Sequence, residues 1–175
     1  MFGRWYFLVE LRTINQDNYE ECLNLHTADT NADFVDSVAW SLAEAWVFYD
    51  DSRPFAIYAD NVMVGYVLMY IGENNPQIIN FMIDSRFQKR GYGSAAARLC
   101  VEYLRKEYNA SRISLPVNLE NKTAQKFWSN IGFEITDDME DGYLYMRLYI
   151  PEKYVWVYKM ERLFDKRSCF TNGIP

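Results

Sequence analysis

Residues 78–104 read IINFMIDSRFQKRGYGSAAARLCVEYL, and this stretch decides the fold. Its first part is almost entirely apolar, which is typical of a strand in the interior of a sheet. After two glycines, Gly91 and Gly93, apolar residues recur at helical spacing with charged residues on the opposite face, and this predicts a helix over 94–108. The stretch therefore predicts a strand, a tight turn and a helix in immediate succession.

The turn between this strand and helix has the properties of an anion site. The first N–H groups of a helix have no partner within it and carry a partial positive charge. Glycines let the backbone turn sharply and let a phosphate approach without a Cβ in the way, and Lys89 and Arg90 add positive charge. A plain strand-to-helix turn would use the same glycines. The triphosphate loop pattern is not present. The dinucleotide fingerprint is incomplete, because Ala96 fills its third glycine position, and its location differs, because the turn follows about the fourth β-run rather than the first.

Bulk composition limits the function classes. The chain has 175 residues, half of them hydrophobic and 17% aromatic, which predicts one globular domain. Its net charge of −6 argues against a nucleic-acid partner and permits a cationic one. No apolar run approaches the roughly 18 residues that span a bilayer, so no membrane contact is expected. Three cysteines without a CxxC pair favour reduced thiols and a cytoplasmic location, and a single histidine, His26, predicts no metal site.

The remaining patterns predict a mixed α/β domain built on one sheet, in the order β, αα, βββ, α, β, α, ββ. The predicted strands are 5–13, 54–59, 62–71, 76–84, 112–117 and the two arms of the hairpin 133–150, and the predicted helices are 15–26, 33–49, 94–108 and 121–131. The second helix carries apolar residues at 34, 35, 38, 42, 45 and 46.

Local signals support these elements. Asp60-Asn61 and Asp141-Gly142 are favoured hairpin turn pairs. Asn15 or Asp17 is expected to cap the first helix, Asn121 would cap the last, and Gly132 would end it.

The C-terminal residues 151–175 follow a domain, 1–150, that is already complete by this pattern. Residues 154–158, YVWVY, alternate with apolar side chains on both faces, so such a strand must be covered. We expect a two-fold homodimer to cover it, and the alternative is that it folds back along WYFLVEL at the N-terminus.

Two ordered blocks resemble the GNAT superfamily of N-acetyltransferases. Gln88-x-x-Gly91-x-Gly93 resembles the acetyl-CoA-binding signature [QR]-x-x-G-x-[GA]. The stretch 118–134, NLENKTAQKFWSNIGFE, resembles the downstream block of the same superfamily in its Asn, Ala and Gly-Phe positions. The resemblance extends from about Leu11 to Ile150 and is closest to bacterial diamine and polyamine (spermidine/spermine) acetyltransferases.

The resemblance implies a single, mostly antiparallel sheet flanked by helices and splayed between the fourth and fifth strands, with acetyl-CoA as co-substrate. It implies that the pyrophosphate of CoA lies on Gln88, Lys89, Arg90, Gly91, Tyr92, Gly93 and Ser94. The pantetheine arm would run along Phe81, Met82 and Ile83, with Asn121 and Trp128 facing it. The Met82 backbone amide would stabilise the developing oxyanion, and a small-molecule amine would attack the thioester directly, without a covalent enzyme intermediate.

The proton-transfer groups depart from the family pattern. Many relatives use a tyrosine on the last helix to protonate the leaving thiolate, and Trp128 occupies that position here. Tyr145 is the first choice for a replacement, with Tyr92, Tyr143 or water as alternatives. Gln77 occupies the position of a glutamate base, so Glu73 acting through water is the candidate base.

The acceptor amine is the least constrained part. Acidic residues before the second β-run would attract a di- or polycation, although ordinary solvated helix faces would look the same; they are Asp29, Asp33, Asp36, Glu44, Asp50 and Asp51. Trp40 and Trp46 would pack in the core in preference to flanking an ammonium. The alternatives are transfer to an antibiotic, an amino acid or a protein amine, or a non-catalytic acyl-CoA-binding sensor.

Overall fold

The computed structural model describes residues 8–27, 34–72 and 75–151, which build one seven-stranded sheet and four α-helices. The strands are β1 (Val9–Thr13), β2 (Ser52–Ala59), β3 (Val62–Tyr70), β4 (Gln77–Ile83), β5 (Arg112–Asn118), β6 (Glu134–Glu140) and β7 (Tyr143–Tyr149). The helices are α1 (Tyr19–Leu23), α2 (Val38–Val47), α3 (Tyr92–Tyr108) and α4 (Lys122–Ile131), and a single 3-10 turn, Ser85–Phe87, precedes α3. No helix in these ranges is long and apolar enough to cross a membrane.

The sheet has the order β1-β2-β3-β4-β5-β7-β6 and is antiparallel except between β4 and β5. These two parallel strands share one bridge, Gln77 with Ser114, where the Ser114 N–H donates to the Pro76 carbonyl over 3.0 Å. The predicted mixed, mostly antiparallel sheet with a splay between its fourth and fifth strands is therefore confirmed.

Two hydrophobic clusters pack against the sheet. The larger one joins α3 and α4 to the sheet and includes Cys100, Leu104 and Trp128. The smaller one joins α1 and α2 to β2, β3 and β4 and includes Cys22 and Val38. The helices thus fall into two groups with separate hydrophobic clusters. Residues from both groups can reach the gap between β4 and β5.

The predicted hairpin turns and the end of α4 are confirmed. Asp60 and Asn61 have φ values of 49° and 68°, and Asp141 and Gly142 have 46° and 86°. Both pairs adopt the left-handed conformation that two-residue hairpin turns require. Gly132, with φ 116°, ends α4 as expected.

The first helix is shorter than predicted. The pattern predicted residues 15–26, whereas α1 spans only Tyr19–Leu23 and its N-cap is Asn18 rather than Asn15 or Asp17. The Asn18 side chain accepts from the Asn15 N–H over 2.9 Å, and the Asn15 side chain accepts from the Asp17 N–H over 2.8 Å. These side-chain bonds hold the chain in turns and delay the helix start.

The second helix is also shorter than the predicted 33–49, because Ser37 caps it by accepting the Trp40 N–H over 3.2 Å. Its buried face is formed by Val38, Ser41 and Ala45. Trp40 and Trp46 are 68% and 80% exposed, so the prediction that they pack in the core is wrong. One residue turns a helix by about 100°, which carries Trp46 away from the face that buries Ala45.

Other boundaries shift by small amounts. α3 begins at Tyr92, two residues earlier than predicted. The strand predicted for 5–13 is observed over Val9–Thr13, and its first three residues lie outside the described part. The segment 154–158 also lies outside it.

Candidate active site

The turn after β4 has a defined geometry. The Gln88 side chain donates from Nε2 to the Ile83 carbonyl over 2.9 Å, which holds the turn against the end of the strand. Lys89 and Gly91 have φ values of 61° and 88°. A Cβ on Gly91 would meet no atom within 4 Å, so glycine is required there for its left-handed backbone rather than for space.

A cavity of about 380 Å³ opens against this turn, and we refer to it as the turn cavity. Its lining residues are Thr27, Val35, Phe81, Met82, Ile83, Gln88, Lys89, Gly91, Gly93, Ser94, Asn121, Thr123, Ala124, Phe127 and Trp128. All but two of the residues predicted to bind CoA are brought together here. The exceptions are Arg90, whose guanidinium lies 5.7 Å from the centre of the Phe87 ring, and Tyr92, which packs against the larger core.

The turn cavity has the features of an anion-binding site. α3 is 17 residues long and begins at the turn, and Gly91, Gly93 and Ser94 bring its N-terminus to the cavity. A Cβ on Gly93 would come within 3.4 Å of Ile83 and 3.6 Å of Phe127, so any larger side chain would project into this lining. Lys89 adds a cation to the wall, and the combination suits an anionic group.

The prediction of which β4 amide faces the gap between β4 and β5 is corrected by one residue. The Asp84 N–H donates to the Val64 carbonyl over 2.9 Å, and β4 pairs with β3 through Met82 and Tyr66. Backbone groups alternate in direction along a strand, so the Met82 N–H faces β3. Phe81 and Ile83 face the other edge, and the Ile83 carbonyl is free to accept from Gln88. The prediction that the Met82 amide serves as the oxyanion donor is therefore wrong in direction, and the Phe81 amide faces the gap instead.

An aromatic group forms the floor of the gap. The Trp128 ring lies edge-on to Phe81, Phe127 and Phe133, with centroid distances of 5.1, 5.0 and 5.3 Å. Asn121 caps α4 as predicted, because its side chain accepts the Ala124 N–H over 2.9 Å. The floor is therefore fixed by edge-to-face packing and by the cap.

A second cavity of about 460 Å³ adjoins the first, and we refer to it as the hairpin cavity because the β6–β7 hairpin forms part of its wall. Its lining residues are Phe34, Val35, Asp36, Ile78, Ile79, Asn80, Phe81, Leu115, Pro116, Val117, Asn118, Asn121, Ala124, Trp128, Glu140, Asp141, Tyr143 and Tyr145. Five residues line both cavities, namely Val35, Phe81, Asn121, Ala124 and Trp128. The two cavities therefore meet over the aromatic floor at the β4–β5 gap.

The hairpin cavity is electrically one-sided. Asp36, Glu140 and Asp141 line it, and all three are exposed. No lysine, arginine or histidine among the described residues lines it. A cation entering this cavity would therefore be attracted by three carboxylates, with no basic side chain on the lining to oppose it.

Of the described members of the predicted acidic group, one lines this cavity. Asp29 and Asp33 lie outside the described residues, while Glu44, Asp50 and Asp51 line neither cavity. Asp36 is the exception. The other two carboxylates come from the hairpin tip, which the sequence prediction had not assigned to the acceptor.

The tyrosines differ in their placement. Tyr145 and Tyr143 line the hairpin cavity, whereas Tyr92 lines neither cavity. The Tyr145 hydroxyl donates to Glu140 Oε2 over 3.4 Å. Burial, together with the Glu140 charge, raises the pKa of Tyr145, so the phenol stays protonated at neutral pH.

The other candidate proton-transfer and nucleophilic groups are a glutamate, a glutamine and two buried cysteines. Glu73 lies outside the described residues, and Gln77 lies at the β4–β5 bridge. Cys22 and Cys100 are buried, and desolvation raises the pKa of each thiol to about 12. Neither thiol is therefore available as a nucleophile at neutral pH.

Asp84 ties the loop after α1 to the end of β4. Its carboxylate is fully buried, accepts from the Arg86 side chain over 2.8 Å and accepts from the His26 N–H over 3.1 Å. The Ser85 N–H in turn donates to the His26 carbonyl over 2.9 Å. The Arg86 hydrogen bond is the main cause that lowers the pKa of Asp84 to about 2. These bonds hold Thr27, the next residue, against the turn cavity.

Several lining residues carry no sequence signal of their own. Thr27 and Val35 come from the segment between α1 and α2, and Asn80 is a single polar residue in an apolar strand. The interruption of IINFMI by an asparagine was the one visible hint, because a polar side chain inside a central strand needs a partner or a ligand.

A comparison with protein families decides the class. The model of the acetyltransferase (GNAT) family matches residues 11–133. The chain belongs to this family. The predicted family, fold and acetyltransferase class are thereby confirmed.

One relative is named as a polyamine acetyltransferase. The chain is 22% identical over 142 residues to the spermine/spermidine N(1)-acetyltransferase of Bacillus subtilis, an alignment that covers 75% of this chain and 91% of that protein.

Solved structures share the fold. The spermidine N-acetyltransferase of Vibrio cholerae in complex with CoA and spermine matches with a TM-score of 0.66 at 16% identity, over 85% of this chain and 98% of that one. The PaiA N-acetyltransferase of Thermoplasma acidophilum in complex with coenzyme A matches with a TM-score of 0.63 at 16% identity, over 81% of this chain and 99% of that one.

Proposed function

We propose that this protein transfers the acetyl group of acetyl-CoA directly to a primary amine of a diamine or polyamine. The observation that carries the proposal is the pair of adjoining cavities: one bordered by a helix start and glycines, the other lined by three carboxylates, with a shared aromatic floor. A polyamine is cationic at neutral pH, so it matches the charge of the second cavity. The relatives named for spermine and spermidine support the same class of acceptor.

The turn cavity would hold CoA. The N-terminal amides of α3, the side chain of Lys89 and the backbone of Gly91 and Gly93 are suited to the pyrophosphate. The pantetheine arm would lie in the β4–β5 gap and pair with the free edge of β4. In this arrangement the thioester would reach the aromatic floor formed by Phe81 and Trp128, where the two cavities meet.

The bound thioester supplies the electrophilic carbonyl carbon. The Phe81 N–H faces the gap and is suited to stabilise negative charge that develops on the carbonyl oxygen. Trp128 and Phe127 exclude water from one side. The acceptor nitrogen would approach from the hairpin cavity, so attack requires no covalent link to the protein.

The proton-transfer groups remain proposals. Tyr145 fits the role of acid, because it is protonated at neutral pH, but it lines the hairpin cavity and not the turn cavity. Its proton would therefore reach the thiolate where the cavities meet, directly or through a water molecule. Glu73 is kept as the candidate base and lies outside the described residues.

An amine panel tests the function. Acetyl-CoA is combined with putrescine, spermidine, spermine, a monoamine, an amino acid and an aminoglycoside, and thiol release is followed. We expect turnover on the diamines and polyamines with a much lower kcat/KM for the monoamine. Preference for the amino acid or the aminoglycoside would move the acceptor assignment to that class. Tight acetyl-CoA binding without turnover on any amine would favour the sensor function.

We also propose that the protein is a homodimer through residues 154–158 and that it is cytoplasmic. The support for the dimer is the absence of a polar face in that segment. Sedimentation of the full chain and of a chain ending at Ile150 tests it. Dimers that become monomers on truncation support the interface, whereas monomers of equal stability in both cases exclude it.

A further inference from the structure

Asn80 is a buried polar residue in the middle of β4, and one of its polar atoms is unused. The residue is only 5% exposed, and its Nδ2 donates to the Asp36 carbonyl over 3.1 Å. The Oδ1 atom is buried and has no hydrogen-bond partner in the described part of the chain. Unpaired buried acceptors are uncommon in proteins, because the desolvation of the oxygen is left without compensation.

Asn80 lies where its unpaired oxygen can meet a bound acceptor. Asn80 lines the hairpin cavity and directly precedes Phe81, which lines both cavities. Neighbouring side chains on a strand point to opposite faces, so Phe81 reaches the aromatic floor while Asn80 reaches the segment before α2. Among the described residues a single hydrogen bond, to the Asp36 carbonyl, holds the amide, and a rotation that gives up this bond would turn Oδ1 toward a nitrogen in the cavity.

We propose that Asn80 is a positioning residue whose Oδ1 accepts an N–H of the attacking nitrogen. The inference rests on the proposed function and deepens it. In the reaction the nitrogen lone pair forms the N–C bond, the C–S bond breaks, the amine loses one proton to solvent or base, and the sulfur receives one. An acceptor on one N–H would aim the lone pair toward the thioester carbon without removing it from use.

The neutral charge of the asparagine matters for this role. A carboxylate at the same place would stabilise the ammonium form, which has no lone pair and cannot attack. The carboxylates of the hairpin cavity, Asp36, Glu140 and Asp141, are exposed instead, and its other titratable residues are Tyr143 and Tyr145. The cavity thus combines a neutral inner acceptor with an anionic outer part. This arrangement suits an acceptor with one neutral primary amine and at least one further cationic nitrogen.

Two variants of Asn80 test the inference. In Asn80→Asp the shape is kept and a charge is added, so we expect the KM for putrescine to fall while kcat at pH 7 falls about tenfold or more. The pH at which kcat reaches half its maximum should rise by about one unit, because the added carboxylate raises the pKa of the bound amine. In Asn80→Leu the acceptor is lost, and we expect kcat/KM for putrescine to fall at least about tenfold with the acetyl-CoA Kd unchanged.

The control is Asn61→Asp, which adds the same charge at the β2–β3 turn and lines neither cavity. It should leave kcat, KM and the pH profile unchanged. Thermal unfolding of each variant confirms that the fold is retained, and Asn80→Asp remains decisive if Asn80→Leu does not fold.

An unchanged pH profile and kcat in a folded Asn80→Asp variant would overturn the inference. If the wild-type protein binds acetyl-CoA but acetylates no amine, the proposed function fails instead. Calorimetry of putrescine binding to the CoA-loaded protein then still decides about Asn80. Equal putrescine affinity in wild type and both variants would reject its role in amine binding.

Discussion

The turn cavity and the hairpin cavity share a floor, but different segments of the chain and different polar groups form their walls. One wall of the turn cavity is a continuous stretch, residues 88–94, that runs into the start of α3 and offers backbone amides beside polar side chains. The hairpin cavity is assembled from the segment before α2, from β4 and β5, and from the tip of the β6–β7 hairpin, and its polar groups are side chains. Backbone amides at a helix start suit an anionic group, whereas exposed carboxylates suit a cationic one.

The strongest test of this difference is to give the turn bulky side chains. In a Gly91→Val/Gly93→Val variant, the first position is strained by its φ of 88° and the second places atoms against Ile83 and Phe127. We expect acetyl-CoA affinity to fall more than about a hundredfold, a loss of about 3 kcal/mol of binding free energy, while the fold is retained. Calorimetry with acetyl-CoA measures it.

The matched control is Gly142→Val, because Gly142 has a similar φ of 86°, has open space around its Cβ and lines neither cavity. It should lose stability without losing acetyl-CoA affinity. An unchanged affinity in a folded Gly91→Val/Gly93→Val protein would show that CoA binds elsewhere.

The hairpin cavity is tested by removing its charge. In a Glu140→Gln/Asp141→Asn variant we expect the KM for spermidine to rise about tenfold at low salt, with kcat nearly unchanged and acetyl-CoA affinity unaffected. The effect should shrink as salt is added, because exposed charges are screened. Initial rates over a range of spermidine and salt concentrations measure it.

Removing two other exposed charges, in Glu120→Gln/Glu134→Gln, gives a control with the same change in net charge and no change in the cavity lining. An equal rise in KM in this control would mean that net charge alone, and not the cavity, attracts the amine.

Substitution of Trp128 in the shared floor should have a smaller effect on kcat. Trp128 cannot donate a proton usefully to a thiolate, so Trp128→Phe should keep kcat within about threefold as long as acetyl-CoA binding survives. Trp128→Tyr restores a hydroxyl and would equal or exceed wild type. Single-turnover rates with saturating acetyl-CoA measure this. A large loss of kcat in Trp128→Phe, with acetyl-CoA affinity intact, would assign the indole a role in the reaction.

The smallest expected effect concerns Asp84, which supports the turn cavity without lining it. Its pKa is about 2 when folded against an ordinary 3.8, so its contribution to stability is complete above about pH 4 and is lost as the pH falls through 2. We expect Asp84→Asn to lower the free energy of unfolding by about 1 kcal/mol at pH 7. The effect is small because the Arg86 side chain is exposed and solvent screens its charge.

Urea unfolding of wild type and Asp84→Asn between pH 7 and pH 2 measures this contribution. The difference between the two proteins should diminish below pH 4 and be mostly lost by pH 2. A difference that stays constant over this range would mean that the asparagine acts through packing and not through charge.

The sequence predicted the parts of the molecule that depend on local chain geometry. The glycine turn, the Asp60-Asn61 hairpin and the cap at Asn121 each follow from residues adjacent in the chain, and all three are observed. It did not predict that Glu140 would line the same cavity as Asp36, because these residues meet only after β4, β5, β7 and β6 have paired. The Met82 amide illustrates a different limit, since the direction of a backbone N–H depends on the register with β3 and a shift of one residue reverses it. The outward position of Trp46 was hidden because an apolar residue at helical spacing predicts burial in most helices.

The acidic hairpin also has a consequence for how copies of the protein behave together. β6 forms one edge of the sheet, nearly all of it is exposed, and its sequence EITDDME carries four carboxylates. An uncovered edge strand is a template for pairing with another chain, and like charges prevent two such edges from aligning. That protection exists only while the carboxylates are ionised. Acidic storage, below about pH 4, would therefore promote fibre-like association along β6 before the fold itself is lost.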